Sequence, residues 1–271
     1  MKTLKLLPSI FFALFLASCS DDDGDPTPDP TTDQCLPTRI TTATGGVSAN
    51  SMLTYDANRR IATLAMEDVG LAGTVEYNNA GRPSKLNIPE LNIPDGNQIG
   101  AIYIQYSYNA QGQLTSMEGF SSLFPLFPLY VTEFEYSAAG QISKATASVS
   151  AFLPENDIVS PGYTTYLYDS RGNISKESRY EGPDGDTELA YTIEYTHDTA
   201  INPTLNLEKL IYGVGSPNNI LTAVNKAADG TVDREASFTA TYQYDGSFPT
   251  TSTITYQNGE VNTVSITYNC D

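Results

Sequence analysis

The stretch Ile102-Tyr103-Ile104-Gln105-Tyr106-Ser107-Tyr108-Asn109-Ala110-Gln111-Gly112-Gln113-Leu114 decides the fold of this 271-residue chain. Ile102, Ile104, Tyr106 and Tyr108 fall on one side of a period-two alternation, against Tyr103, Gln105 and Ser107 on the other, which predicts a strand. Asn109 can then hydrogen-bond its own backbone to start a turn, and Gly112 accepts the positive φ that ends it.

The second half of that string recurs. Tyr55-Asp56-Ala57-Asn58-Arg59-Arg60-Ile61, Tyr77-Asn78-Asn79-Ala80-Gly81-Arg82-Pro83, Tyr136-Ser137-Ala138-Ala139-Gly140-Gln141-Ile142 and Tyr168-Asp169-Ser170-Arg171-Gly172-Asn173-Ile174 repeat it. Each is a tyrosine, a small polar residue, two variable residues, glycine, a polar residue and usually an aliphatic one. Successive tyrosines stand 22, 31, 28 and 32 residues apart, room for two strands and two turns per copy. Arg59 in place of glycine and Pro83 in place of the aliphatic make two of the turns less secure. Thr132, Phe134 and Tyr136, then Tyr191, Ile193 and Tyr195, then Phe238, Ala240 and Tyr242, and finally Val264, Ile266 and Tyr268 alternate in the same way. Asn258-Gly259 reads as a type I′ hairpin turn, and Ala228-Asp229-Gly230 and Pro183-Asp184-Gly185 as further corners. The expected fold is all-β: an antiparallel up-and-down meander of about 12–16 strands. Having one apolar face, it curls into a barrel or a strongly curved single sheet, hiding its tyrosine-lined side.

Composition narrows the function. Hydrophobic side chains make up 40% and charged ones 17%, the balance of a folded secreted domain, while 14 basic against 32 acidic groups leave a formal charge of −18. No nucleic acid is expected on a surface of that sign. Of three cysteines, Cys35 and Cys270 bracket the folded part, and in an oxidising compartment they are most simply a disulfide. Such a bridge ties the first segment of the domain to the last and contributes about 5 kcal/mol at most in the chain-entropy model. His197 is the single histidine and has no evident partner for a catalytic thiol or a metal. No nucleophile elbow, zinc helix or phosphate loop is present. Asp21 to Asp25 lacks the alternating ligands of a calcium loop. Catalytic residues, metal and cofactor are therefore all expected to be none.

The N-terminus carries an address. Lys2 and Lys5 precede the apolar run Leu6 to Leu16, a length suited to a signal peptide and too short to span a bilayer. Leu16-Ala17-Ser18-Cys19 follows and resembles the lipobox of bacterial lipoproteins, which implies cleavage before Cys19 and acylation of its thiol. Ser20-Asp21-Asp22-Asp23-Gly24-Asp25 and the spaced Pro26, Pro28 and Pro30 predict an extended tether reaching roughly 45 Å. The acidic run also resembles the export signal that sends Bacteroidota lipoproteins to the cell surface; a periplasm-facing anchor is the alternative. The tyrosine-turn-glycine copies resemble the YD repeats of large bacterial surface and toxin-shell proteins. Together with the lipobox, Asn202-Pro203, Ser216-Pro217-Asn218-Asn219 and Tyr244-Asp245-Gly246, they make residues 35–271 similar to Bacteroidota surface lipoproteins of unknown function with a porin-like β fold. The expected organisation is a lipoprotein signal peptide over 1–18, lipidated Cys19 with its tether over 19–34, and one β domain over 35–271.

Two irregular stretches are candidate working surfaces. Gly119 to Tyr130 sets large apolar residues between prolines. Phe120, Leu123, Phe124 and Phe127 either pack inward at a bend or form a contact patch for a partner or hydrophobic ligand. Leu86-Asn87-Ile88-Pro89 and Leu91-Asn92-Ile93-Pro94 are a local duplication expected at a loop edge. Asp184, Asp186 and Glu188 form a weak calcium pattern, read as a solvated hairpin tip. Asp198-Thr199-Ala200 resembles a short O-glycosylation acceptor motif at Thr199. The preferred function is a non-enzymatic, lipid-anchored, surface-exposed outer-membrane module that binds a protein, peptide or glycan. One alternative is a carrier enclosing an apolar ligand, which needs a tyrosine-lined cavity of several hundred cubic ångströms. Another is a glycan-acting hydrolase, which needs two opposed acids with perturbed protonation. A membrane-spanning barrel would need its apolar face outward.

Overall fold

The computed structural model describes residues 35–67, 70–89, 101–149, 161–182 and 187–270. The strands are β1 (Leu36–Thr44), β2 (Val47–Tyr55), β3 (Ile61–Met66), β4 (Leu71–Tyr77), β5 (Pro83–Ile88) and β6 (Ile102–Tyr108). Then follow β7 (Leu114–Ser121), β8 (Tyr130–Tyr136), β9 (Ile142–Val149), β10 (Gly162–Tyr168), β11 (Ile174–Glu181) and β12 (Glu188–Ile201). A helix, α1 (Leu205–Tyr212), precedes β13 (Asn218–Ala227), β14 (Phe238–Asp245), β15 (Phe248–Tyr256) and β16 (Val261–Asn269). Each strand pairs antiparallel with its sequence neighbours, and β1 pairs with β16 from Leu36↔Asn269 to Thr44↔Asn262, closing a barrel of 16 strands. Closure leaves no edge with unpaired backbone groups. Cys35 and Cys270 are disulfide-bonded beside that seam, 235 positions apart.

The wall sorts its side chains as the period-two pattern requires. Ile40, Leu53, Leu64, Leu86, Ile104 and Phe134 belong to one buried interior cluster. Their alternates carry ion pairs, Lys144 with Glu135 and both Lys176 and Lys226 with Glu194. An apolar interior and a charged exterior are the reverse of what a barrel facing lipid needs.

All five motif copies lie at one end, the terminal rim, which also holds the first and last residues of the barrel. In the Tyr108 copy the Asn109 N–H donates to the Gln113 carbonyl (3.0 Å) and the Gly112 N–H to the Asn109 carbonyl (3.0 Å). This is a type I turn closed by one residue in the left-handed region, a three-residue loop with a bulge. Asn109 Oδ1 also accepts from the Gln111 and Gln113 N–H groups, which explains the small polar residue after the tyrosine.

Three turn readings are corrected. The Tyr55 copy keeps both backbone bonds, with Arg59 itself at φ 62°, and the Tyr77 copy keeps them with Pro83 in place. Neither turn is loosened. Asn258-Gly259 is not type I′, which needs positive φ at both central residues. Gly259 has φ 95°, whereas Arg59 is the sole non-glycine with positive φ among the described residues. The Tyr256 N–H donates to the Glu260 carbonyl (2.9 Å), so this is the same bulged turn at the opposite end. The added bulge residue leaves one positive-φ position to fill instead of two.

The motif tyrosines have a shared task. Tyr77 donates its hydroxyl to the Ile61 carbonyl (2.8 Å), Tyr108 to that of Pro83 (2.9 Å) and Tyr136 to that of Leu114 (2.9 Å). Each acceptor is the residue just past the preceding turn, where the bulge shifts the ladder register. Pro83 is accepted because this contact uses its carbonyl and asks nothing of its nitrogen.

Helix α1 is the feature that period-two reading does not reveal. Asn202 Oδ1 accepts the Thr204 N–H (2.9 Å) ahead of its first turn, and Gly213 at φ 79° ends it. Leu207 and Leu210 are buried, and Tyr106 on β6 donates to the Leu210 carbonyl (2.7 Å). Gly213 passes so near Phe134 that a Cβ there would lie 2.4 Å from the ring. The helix therefore crosses the interior from the β12–β13 side to β6–β8 and fills the terminal end.

Candidate functional site

Behind α1, the β12–β13 connection places a carboxyl inside the barrel. Glu208 is 5% exposed and lines a cavity of about 80 Å³ bounded by Asn202 and Thr204 on one side and by Ile40, Tyr242 and Ile254 on the other. Asn202 Nδ2 donates to both Glu208 oxygens (3.0 and 3.1 Å) and to the Ser216 carbonyl (3.0 Å). Thr204 Oγ1 lies 2.7 Å from Asn202 Oδ1 and 2.6 Å from Glu208 Oε1. A hydroxyl has one proton, so if Thr204 gives it to Asn202 the other contact needs a proton from the carboxyl. Burial pushes Glu208 up to about 8, consistent with a protonated acid at neutral pH. The cavity has room for a few waters and is far below the 300–1,000 Å³ of ordinary ligand pockets.

The surrounding polar groups are occupied with one another. His197 Nε2 meets Ser216 Oγ (3.0 Å), and burial lowers the imidazole to about 4, leaving it neutral. Asp198 accepts from the Asn219 backbone and side-chain amides (3.0 and 3.1 Å) and from the Tyr244 hydroxyl. The network holds the chain where it leaves the wall to form α1 and returns. Thr199, beside it on β12, is exposed.

A second acid sits on the inner wall. Glu177 on β11 stands between Tyr166 and Ile193 in register, and burial pushes its carboxyl up to about 7, partly offset by a hydrogen bond from Tyr195. Glu177 and Glu208 are two acids with raised protonation, but neither contributes to the other's shift.

The third place is the distal rim. Leu123, Phe124, Leu126 and Phe127 are 55%, 61%, 83% and 59% exposed. Phe120 is separate from them: it is buried and stacks on Tyr103 at 5.1 Å between ring centroids. The loop is pinned at its base, where the Leu129 N–H donates to the Gly119 carbonyl (2.6 Å) and the Leu123 N–H to Ser121 Oγ (3.0 Å). Of the remaining sequence expectations, Cys19, the tether, Asp184, Asp186 and the second half of the Leu86–Pro94 duplication lie outside the described residues, while Leu86 to Ile88, expected at a loop edge, are part of β5 with Leu86 buried in the interior. Among the described residues no group of three His, Cys, Asp or Glu side chains is arranged to hold a metal. Sequence reasoning missed Glu208. The available signals were Asn202, placed to accept the Thr204 N–H in the turn ahead of the helix, and Gly213 eight residues past Leu205, which together frame a short helix.

No family model matches the chain, and no curated protein matches it. Solved structures do. A porin-like protein from Bacteroides vulgatus ATCC 8482 superposes with a TM-score of 0.57 at 12% identity, covering 87% of this chain and 99% of that one. Another, from Bacteroides uniformis ATCC 8492, gives 0.54 at 13% identity, covering 89% and 100%. At these identities the likeness establishes the fold: a porin-like antiparallel β-barrel.

Proposed function

We propose that this protein is a lipid-anchored, surface-exposed outer-membrane lipoprotein whose barrel serves as a non-enzymatic binding or interaction module, joined to the membrane through acylated Cys19. The observation that carries this reading is the polarity of the wall, whose interior is a cluster of apolar side chains interrupted by Glu208 and by Glu177 and Arg179 of β11, and whose exterior carries the Lys144–Glu135 and Lys226–Glu194 ion pairs. Such a wall suits water, so membrane attachment needs a separate device, and the Leu16-Ala17-Ser18-Cys19 sequence is one. The tether joins the barrel at Cys35 on the terminal rim, leaving the distal rim and its apolar loop at the opposite end. The neighbours' porin-like fold is consistent with an outer-membrane association.

Metabolic labelling with a palmitate analogue tests the anchor: the wild-type chain should take up label and Cys19→Ala should not. Protease treatment of intact cells tests orientation. Digestion of the domain without permeabilisation is expected, and protection until the outer membrane is opened would instead place it on the periplasmic side.

A further inference from the structure

The loop Gly119 to Tyr130 contains no charged residue. Its four exposed apolar side chains stand on a base fixed by backbone bonds, so their exposure belongs to an ordered loop. The outer wall at the same height is also unusual. Tyr103 stacks on Phe120 with the Lys85 ammonium 4.3 Å from the Tyr103 ring centroid. Tyr163 stacks on Tyr180 (4.6 Å), with the Lys144 ammonium 4.9 Å from the Tyr163 ring centroid. Tyr103 and Tyr163 are each the second residue of strands that begin at the distal rim, and Phe120 and Tyr180 each stand next to last on theirs. An uncharged apolar tip therefore rises above a level of tyrosines overlaid by lysines.

We infer that this loop inserts into a lipid surface, with Leu123, Phe124, Leu126 and Phe127 entering the acyl boundary and the tyrosine–lysine stacks resting among the headgroups. The inference deepens the proposed function by naming a partner class for the distal rim. Two arguments favour lipid over a protein partner. A stable protein interface buries about 800 Å² per side and carries a polar rim. One loop with four apolar tips supplies much less area and has no charged group of its own for such a rim. Apolar side chains can instead enter an acyl layer a few at a time, and tyrosine and lysine are the residues that suit the boundary between acyl chains and water. The acidic whole chain also sets a preference for zwitterionic over anionic lipid.

The chain has no tryptophan, so Leu126→Trp creates a single reporter at the most exposed of the four positions. The chain begun at residue 20 holds the entire closed barrel and its disulfide but not Cys19. With phosphatidylcholine vesicles, its tryptophan emission should move to the blue and be quenched by lipids brominated along the acyl chain, and both effects should persist in 0.5 M salt (about a 4 Å screening length). Adding Phe124→Ser and Phe127→Ser should weaken vesicle partition by roughly tenfold or more. Emission unchanged by vesicles, or a shift abolished by salt, would overturn insertion; the first would leave a protein partner as the occupant and the second would assign binding to the lysines. Because this chain lacks Cys19, its result is independent of palmitate labelling, and failure of one reading is distinguishable from failure of the other.

Discussion

The two rims of one barrel obey different rules. At the terminal rim five turns share a single geometry, each begun by an aspartate, asparagine or serine, and each of the first four is tied to the next copy by a tyrosine hydroxyl. At the distal rim the described connections run from the two-residue Gly45–Gly46 corner to the long apolar loop after β7, and the bulged geometry recurs at Ala227–Thr231 and Tyr256–Glu260 without being common to all of them. Repetition persists where the turn closes on itself through its own backbone and its first polar side chain. Variation collects where the wall demands little of the loop, the usual place for binding groups on a rigid scaffold.

The sharpest way to break this contrast is at Cys35–Cys270, which staples the terminal rim alone. Reduction, or Cys35→Ser with Cys270→Ser, should lower unfolding free energy by about 2–5 kcal/mol because the bridge closes nearly the whole chain into a loop. Guanidinium titration with and without reductant measures it. An unchanged midpoint would mean that the β1–β16 ladder holds the seam unaided.

Glu208 gives the next largest effect. Its folded carboxyl titrates near 8 against 4.5 when unfolded, so its stabilisation is full below 4.5 and lost as pH rises through about 8. His197 opposes it at lower pH: its folded value near 4 lies below 6.5, so stability is lost as pH falls through that window. Glu177 adds a loss that ends near pH 7. Between pH 7 and 8, Glu208 is therefore the main titrating group of the three, and the wild type should lose on the order of 1 kcal/mol there. Glu208→Gln should be flat over the same unit of pH in thermal melts. An equal slope in both proteins would place the carboxyl in contact with water.

What the sequence made legible follows from range. The turn at Asp169 to Asn173 is settled within five residues, since Asp169 Oδ1 holds the Arg171 and Asn173 N–H groups and Gly172 takes φ 81°. Strand alternation is equally local, which is why Phe134 and Glu135 could be assigned to opposite faces without coordinates. Curling was inferable from one apolar face, but the choice between a barrel and a curved single sheet was open until the β1–β16 pairing closed the ring. Helix α1 was not, because its reason lies across the barrel, in the Tyr106 hydroxyl and Phe134 ring that receive it. Glu208 would be read as a surface residue by composition, and only that docking makes it interior. Phe120 and Phe124 are close in sequence and alike in chemistry; their separation into a buried stack and an exposed tip depends on where the chain folds back at Leu129.

Tyrosine hydroxyls test the terminal rim at finer scale. Tyr108→Phe keeps the ring and removes one donor, leaving the half-buried Pro83 carbonyl without that bond, for a cost of about 1 kcal/mol. Tyr103→Phe on the outer wall should fall within about 0.5 kcal/mol. Equal losses at the two positions, measured by chemical denaturation, would show that the tyrosine ladder is incidental to the rim.

The smallest effect concerns the copy that departs from the motif. Arg59 occupies the left-handed region at φ 62°, where a side chain costs about 1 kcal/mol or more and glycine costs nothing. Arg59→Gly relieves that strain but makes the unfolded chain more flexible, which takes back about 0.5–1 kcal/mol. The net gain should therefore be positive and under 1 kcal/mol. Gly112→Ala, the opposite change in an intact copy, should lose stability at φ 85°, with the Arg82 guanidinium also having to swing aside. If Arg59→Gly were destabilising, contacts of the arginine side chain would outweigh the backbone penalty, and this turn would be held by its neighbours where the other copies are held by their own geometry.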